Sequence, residues 1–102
     1  MTYDTKNRIL HTGVYEKVKL SPREHELLIC LSSGKLATYE EICQYMKITE
    51  VNFKSLKSRF IDKLEYKLHI KMVRNVGMIL EDEIYFEWRE TNEIVRAIGR
   101  VE

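Results

Sequence analysis

Basic and hydrogen-bonding side chains are concentrated between residues 47 and 74. This segment holds eight Lys and Arg against three acids, a local charge of +5, whereas the remaining residues hold nine Lys and Arg against thirteen acids, a local charge of −4. A basic block within an otherwise acidic chain is typical of a surface that binds a polyanion such as nucleic acid. A solvated, lysine-rich helix explains the same charge count and stays open as the alternative.

A helix inside the basic block is predicted to present polar side chains to such a ligand. Phe53, Leu56, Phe60 and Leu64 follow one another at spacings of three, four and four, which predicts a helix over residues 49–67 with one apolar stripe. The opposite face is polar and basic, as a helix that enters a major groove requires, although Asp62 on this face repels phosphate. The candidates for phosphate contacts are Lys54, Lys57, Arg59 and Lys63. The candidates for contacts with base edges are Asn52, Ser55, Ser58 and Arg59.

A second basic cluster is predicted at the tip of a hairpin. Residues 70–73 and 78–80 are strand-like and enclose Arg74-Asn75-Val76-Gly77, whose Asn and Gly suit positive φ. Lys71, Arg74 and Asn75 would then lie together, and an arginine at such a tip suits the minor groove of A·T-rich DNA. The alternative is a charged loop that only favours solubility.

Enzymatic chemistry is not indicated by the sequence. His25-Glu26 begins like the zinc-binding HExxH motif, but Ile29 stands where the second histidine is needed. No metal-ligand spacing joins the other candidates, which are His11, His69, Cys30 and Cys43. We therefore expect no catalytic residue, no metal and no cofactor.

The remaining segments supply the elements that must position the two basic clusters. A β-hairpin is predicted over residues 8–20, followed by a helix that begins at Ser21-Pro22 and ends at Ser33-Gly34. A short strand over 35–37 precedes a second helix, opened by a capping box from Thr38 to Glu41, and Thr49 is the predicted N-cap of the basic helix. This order predicts an α+β fold, a winged helix-turn-helix with a three-helix core, an N-terminal β-hairpin and a C-terminal β-wing.

Four segments of the chain resemble the OmpR/PhoB-type output domains in the same order. Residues 20–28 (LSPREHELL) are similar to the family's L-T-P-x-E-x-x-L-L, and residues 38–42 (TYEEI) to its S-R-E-E-L. Residues 60–64 (FIDKL) lie where the family has L-R-x-K-L, and residues 70–78 (IKMVRNVGM) match I-x-T-V-R-G-V-G-Y of the wing. The resemblance covers residues 13–80 and implies sequence-specific binding of double-stranded DNA through the third helix and the wing.

The chain also departs from that family. Residues 47–50 leave almost no loop between the second and third helices, where the family carries a loop that contacts RNA polymerase, so activation through that loop is not expected. Tyr39 and Asn75 stand where the family has arginine and glycine, and His25 and Lys57 where it buries apolar residues. In length and layout the chain resembles free-standing plasmid and phage DNA-binding factors, including conjugation accessory proteins. An origin-of-transfer or architectural role, or transcription regulation, is therefore expected, with DNA-processing or transcription proteins as further partners.

The length of 102 residues suits one domain over 1–102, in which 8–20 form the hairpin, 21–80 the helix-turn-helix core and wing, and 81–102 a C-terminal extension. The extension is rich in apolar residues, and a short helix predicted to start near Thr91 carries a one-sided apolar stripe. Such a stripe predicts a homodimer, with packing of the extension on its own domain as the alternative. The expected interface residues are Trp88, Ile94, Val95 and Ile98. Without a membrane-spanning run, an export signal or paired cysteines, the protein is expected to be cytoplasmic. A winged-helix module that binds protein rather than DNA is the alternative function.

Overall fold

Helices and strands are interspersed along the described residues, which are 1–64 and 66–87 of this computed structural model. The helices are α1 (Pro22–Cys30), α2 (Tyr39–Met46) and α3 (Glu50–Leu64). The strands are β1 (Thr2–Asp4), β2 (Ile9–His11), β3 (Lys17–Lys19), β4 (Ala37–Thr38), β5 (Ile70–Val73), β6 (Gly77–Leu80) and β7 (Tyr85–Glu87). The predicted α+β class is confirmed.

The chain divides into two compact units. The first combines Met1–Ser21 with the residues from Ile84 onward, and the second is Pro22–Glu83. Both basic clusters lie in this second unit.

The first unit contains a four-stranded sheet with the order β3-β2-β1-β7. The predicted hairpin is present, because β2 and β3 pair antiparallel with Leu10 opposite Val18. The second strand of this hairpin begins only at Lys17, because Val14 and Tyr15 belong to the loop and are 90% and 97% exposed. Strand β1 was not predicted; it pairs antiparallel with β2 and parallel with β7, and it buries Tyr3 completely.

The second unit begins with α1 and α2. Helix α1 starts at Pro22, as predicted, but ends at Cys30, three residues before Ser33. Gly34 takes the left-handed conformation, with φ of 74°. Thr38 caps α2 in a complete capping box with Glu41. At the other end Lys47 is left-handed, with φ of 57°, which turns the chain sharply enough for α3 to begin at Glu50.

Helix α3 buries the whole of its predicted apolar stripe. Phe53, Leu56, Phe60 and Leu64 are at most 4% exposed. Thr49 caps the helix as predicted, because its Oγ1 accepts a hydrogen bond from the Asn52 backbone N–H. The helix ends at Leu64, three residues before the predicted end at 67.

A three-stranded antiparallel sheet with the order β4-β6-β5 completes the second unit. Strands β5 and β6 form the predicted hairpin, with Met72 opposite Met78. Strand β4 pairs with the start of β6, where Thr38 lies opposite Gly77. A Cβ at Gly77 would lie 2.2 Å from the carbonyl oxygen of Ala37, so only glycine permits this close approach.

Two of the sequence predictions concern residues 88–102. The C-terminal helix expected to start near Thr91 and the four residues of the predicted dimer interface lie outside the described residues. Within the described ranges, no helix has the length and hydropathy needed to cross a membrane.

Candidate nucleic-acid interface

One face of α3 presents polar and basic side chains to solvent. Because the apolar stripe faces the core, most residues between its members are turned outward. The exposed candidates are Asn52, Lys54, Ser55, Ser58, Arg59 and Lys63. This face therefore offers ammonium, guanidinium, amide and hydroxyl groups, the donors that phosphates and base edges accept. Asp62 is exposed as well and opposes phosphate near the end of the helix.

The ammonium group of Lys57, a predicted phosphate contact, instead contacts an aromatic ring. Its Nζ lies over the ring of Tyr39, 4.5 Å from the ring centroid, and the side chain is half-buried. The same ring packs against Phe53 with the ring centroids 5.5 Å apart. Lys57 therefore joins α3 to the start of α2 through a cation–π contact.

Lys63, also a predicted phosphate contact, forms an ion pair inside the unit. Its Nζ lies 2.7 Å from Oε1 of Glu24, whose side chain is only 4% exposed. A buried carboxylate requires a charged partner, and Lys63 supplies one across the packing of α3 on α1. The geometry thus gives Lys63 a structural task that the helical spacing did not reveal.

The turn between β5 and β6 carries the second basic cluster. Lys71, Arg74 and Asn75 are all exposed, as expected. Asn75 takes the predicted positive φ, at 61°, and the Val76 backbone N–H donates to the Val73 carbonyl oxygen across the turn. The Val76 carbonyl oxygen in turn accepts a hydrogen bond of 2.9 Å from the Tyr39 backbone N–H. The turn is thereby fixed to the N-terminus of α2.

A groove of about 920 Å³ lies between α2, the first half of α3 and this turn. Lys54 and Lys57 line the α3 side, whereas Glu40 and Gln44 line the α2 side. Glu50 also borders the groove. Basic and acidic groups therefore face the same cleft.

The N-terminus of α2 is used by the protein itself. The Thr38 backbone N–H donates to the Glu41 side chain, and that of Tyr39 donates to Val76. The hydrogen bond from the Thr38 backbone, and to a smaller extent that from the Thr38 side chain, lowers the pKa of Glu41, so its carboxylate stays ionised. The capping box predicted for this segment is confirmed.

The cysteines and histidines are not gathered into a reactive site in the described residues. No three His, Cys, Asp or Glu side chains of these ranges are placed to hold a metal ion. Both thiols are free, and burial, followed by the charge of Glu26, raises the pKa of Cys30 to about 11, which disfavours the reactive thiolate.

The sequence did not identify two residues that shape the interface. The sequence did not reveal that Glu24, in the first turn of α1, is the partner of Lys63, and it marked Tyr39 only as a departure from the family arginine. A bulky aromatic residue immediately after a helix cap was the available signal for Tyr39.

No family model matches the chain, and neither a curated protein nor a solved structure is significantly similar to it.

Proposed function

We propose that the second unit is a winged helix-turn-helix module that binds double-stranded DNA in a sequence-specific manner. The order α1-β4-α2-α3-β5-β6, with a β4-β6-β5 sheet, supports this assignment. In it α2 and α3 are the helix-turn-helix pair, α3 enters the major groove and the β5–β6 turn is the wing.

The polar outer face of α3 is the observation that carries the proposal. Six candidate contacts are exposed on a helix that buries all four residues of its apolar stripe. The separation allows α3 to hold the core with one face while the other face enters a groove about 12 Å wide. A basic helix that only favours solubility would not require a second basic cluster in the same unit. The β5–β6 turn carries such a cluster.

The contacts divide by chemistry. Lys54 and Lys71 are compact charges suited to phosphates, whereas Arg59 and Arg74 carry planar forks suited to a guanine edge or a narrow minor groove. Asn52, Ser55, Ser58 and Asn75 provide neutral hydrogen bonds, which discriminate bases by fit rather than by charge. Lys57 and Lys63 have protein partners and are secondary members of this set.

The broader role follows from the resemblance in layout to plasmid and phage factors. The chain would act in the cytoplasm as an accessory factor at an origin of transfer, as an architectural protein or as a small transcriptional regulator. The three residues between α2 and α3 support a mode of action that does not use the polymerase-contacting loop. Sequencing the plasmid or genomic fragments that the protein retains would distinguish these roles.

Titration of a labelled duplex at two salt concentrations tests the binding itself. Each phosphate neutralised by the protein adds about 0.9 to the slope of log affinity against log salt. Lys54→Ala should lower that slope by about 0.9 on every sequence, whereas Arg59→Ala should cost roughly 1–3 kcal/mol on the preferred duplex and relax the preference at one position. Affinity that does not depend on salt would favour the alternative, a module that binds protein.

Arg74→Ala is the corresponding test of the turn. If Arg74 reads bases or groove shape, the loss of roughly 1–3 kcal/mol should be confined to the preferred duplex. An equal loss on all duplexes would make Arg74 a phosphate contact, and no loss at all would remove the turn from the interface.

A further inference from the structure

Lys57 differs from the other basic residues of α3 in its surroundings. Lys54 is exposed, one turn earlier on the same helix, whereas Lys57 is half-buried with its ammonium over the Tyr39 ring. Both lysines line the groove that Glu40 and Glu50 also border, so the ring contact is what distinguishes Lys57. To reach a phosphate, the Lys57 ammonium would have to leave the Tyr39 ring, and the cation–π attraction opposes that movement.

Tyr39 connects the two parts of the proposed interface. Its backbone N–H holds the carbonyl oxygen of Val76, next to Arg74 and Asn75 at the β5–β6 turn. Its ring contacts Phe53 and carries Lys57, both on α3. One residue therefore links the turn to the helix, and its ring, not its hydroxyl group, makes the described side-chain contacts.

We propose that Lys57 is a positioning residue for DNA recognition rather than a phosphate contact, because it fixes the Tyr39 ring and with it the position of the β5–β6 turn relative to α3. This inference rests on the proposed function. It assigns to a lysine in the middle of the recognition helix a role that its charge and spacing alone do not indicate. The ion pair of Lys63 with Glu24 is a second case in which a lysine of α3 serves the protein instead of the ligand.

The contact itself is measurable without DNA, by proton NMR of the full chain. The ε-methylene group of Lys57 is bonded to the Nζ that lies over the Tyr39 ring, so its protons should resonate clearly upfield of those of Lys54. Tyr39→Phe should retain this upfield shift and Tyr39→Leu should abolish it. Identical shifts for Lys57 and Lys54 in the wild type would overturn the proposal.

The role in recognition is tested by salt titration of two matched variants. Lys54→Met should reduce the salt slope by about 0.9, as expected for one lost phosphate contact. Lys57→Met should weaken binding roughly two- to five-fold, the range of an exposed cation–π contact, while the slope stays that of the wild type. Equal slope losses in the two variants would make Lys57 a phosphate contact and contradict the positioning role.

The tyrosine variants separate positioning from a general loss of folding. Tyr39→Phe should bind the preferred duplex as the wild type does, and Tyr39→Leu should bind roughly two- to five-fold more weakly at an unchanged slope. Weakened binding in both, or in neither, would overturn the inference. If the wild type binds no duplex, the proposed function fails and the recognition role fails with it, whereas the NMR shift still reports whether Lys57 contacts Tyr39.

Discussion

His69 and Asp82 close the open end of the β5–β6 hairpin with two hydrogen bonds. The His69 backbone N–H donates to Oδ2 of Asp82 at 2.6 Å, and Nδ1 of the ring lies 2.9 Å from Oδ1. The hydrogen bond with Asp82, and next its charge, raise the pKa of His69 above the usual 6.5. Burial alone would raise the pKa of Asp82, but the bonds from His69 and the charge of its ring bring it below the usual 3.8.

The His69–Asp82 pair should make a pH-dependent contribution to the free energy of unfolding. The His69 contribution is complete below pH 6.5 and is lost as the pH rises through the raised pKa. The Asp82 contribution is complete above pH 3.8 and is lost as the pH falls through the lowered pKa. His69→Ala should therefore destabilise the protein more at about pH 5.5 than at about pH 8.5, as measured by urea unfolding. A destabilisation that is the same at both pH values would contradict this account.

Side-chain exposure on α3 was predictable from the sequence, but side-chain partners were not. The stripe of Phe53, Leu56, Phe60 and Leu64 fixes which face is buried, so the outward direction of Ser55 and Arg59 follows from helical geometry. The partner of Lys63, in contrast, is Glu24, 39 positions earlier in the chain. Only the packing of α3 on α1 brings them together.

At the scale of the elements, the Lys63–Glu24 pair joins α3 to α1. Lys63→Met keeps the length of the side chain and removes the ammonium from a carboxylate that is almost fully buried. Because Lys63 itself is 36% exposed, we expect a moderate loss of about 1–2 kcal/mol in the free energy of unfolding. Lys54→Met, on the exposed face, should change stability by less than about 0.5 kcal/mol and is the control.

A double-mutant cycle shows whether that loss comes from the pair. Glu24→Gln removes the charge that Lys63 neutralises, so the double variant should lose less stability than the sum of the two single variants. Additive losses would show that Lys63 stabilises the helix by other means.

The junction of β4 with β6 depends on Gly77. An alanine Cβ there would lie 2.2 Å from the Ala37 carbonyl oxygen and 2.8 Å from the Thr38 Cα, both backbone atoms that cannot rotate away. Gly77→Ala should therefore force the strands apart and cost about 1–3 kcal/mol in urea unfolding. At Gly13 the nearest atom to such a Cβ is 3.7 Å away, so Gly13→Ala should be nearly neutral, and equal effects of the two changes would contradict the close approach.

The elements that the sequence predicted are those with local signals. Caps and periodicity identified α1, α2 and α3, and the Arg74–Gly77 turn identified the β5–β6 hairpin. Strand β1 has only three residues and no alternation to recognise. It pairs with β2, nearby in the chain, and with β7, where the Thr5 side chain donates to the Glu87 carbonyl oxygen, 82 positions later. The pairing with β7 is a distant contact, which local patterns do not encode.

At the scale of the whole molecule, the homodimer remains a prediction from the sequence. The apolar stripe of Ile94, Val95 and Ile98 supplies its basis, and a two-fold pair would present two recognition helices at a fixed spacing on DNA. Sedimentation at micromolar concentration should give twice the chain mass of 12.2 kDa. The double change Ile94→Asp and Ile98→Asp should give a monomer that binds DNA more weakly, with Asn92→Asp as the control. A wild-type mass of one chain would rule out the dimer.

Selection from a library of random duplexes tests the central claim, sequence-specific DNA binding through α3 and the β5–β6 turn, most directly. We expect the wild type to enrich a common sequence over successive rounds. The double variant Arg59→Ala, Arg74→Ala should still fold and retain salt-sensitive binding, because Lys54 and Lys71 remain, but it should enrich no common sequence. A wild type that enriches none, or a double variant that enriches the same sequence as the wild type, would contradict the account.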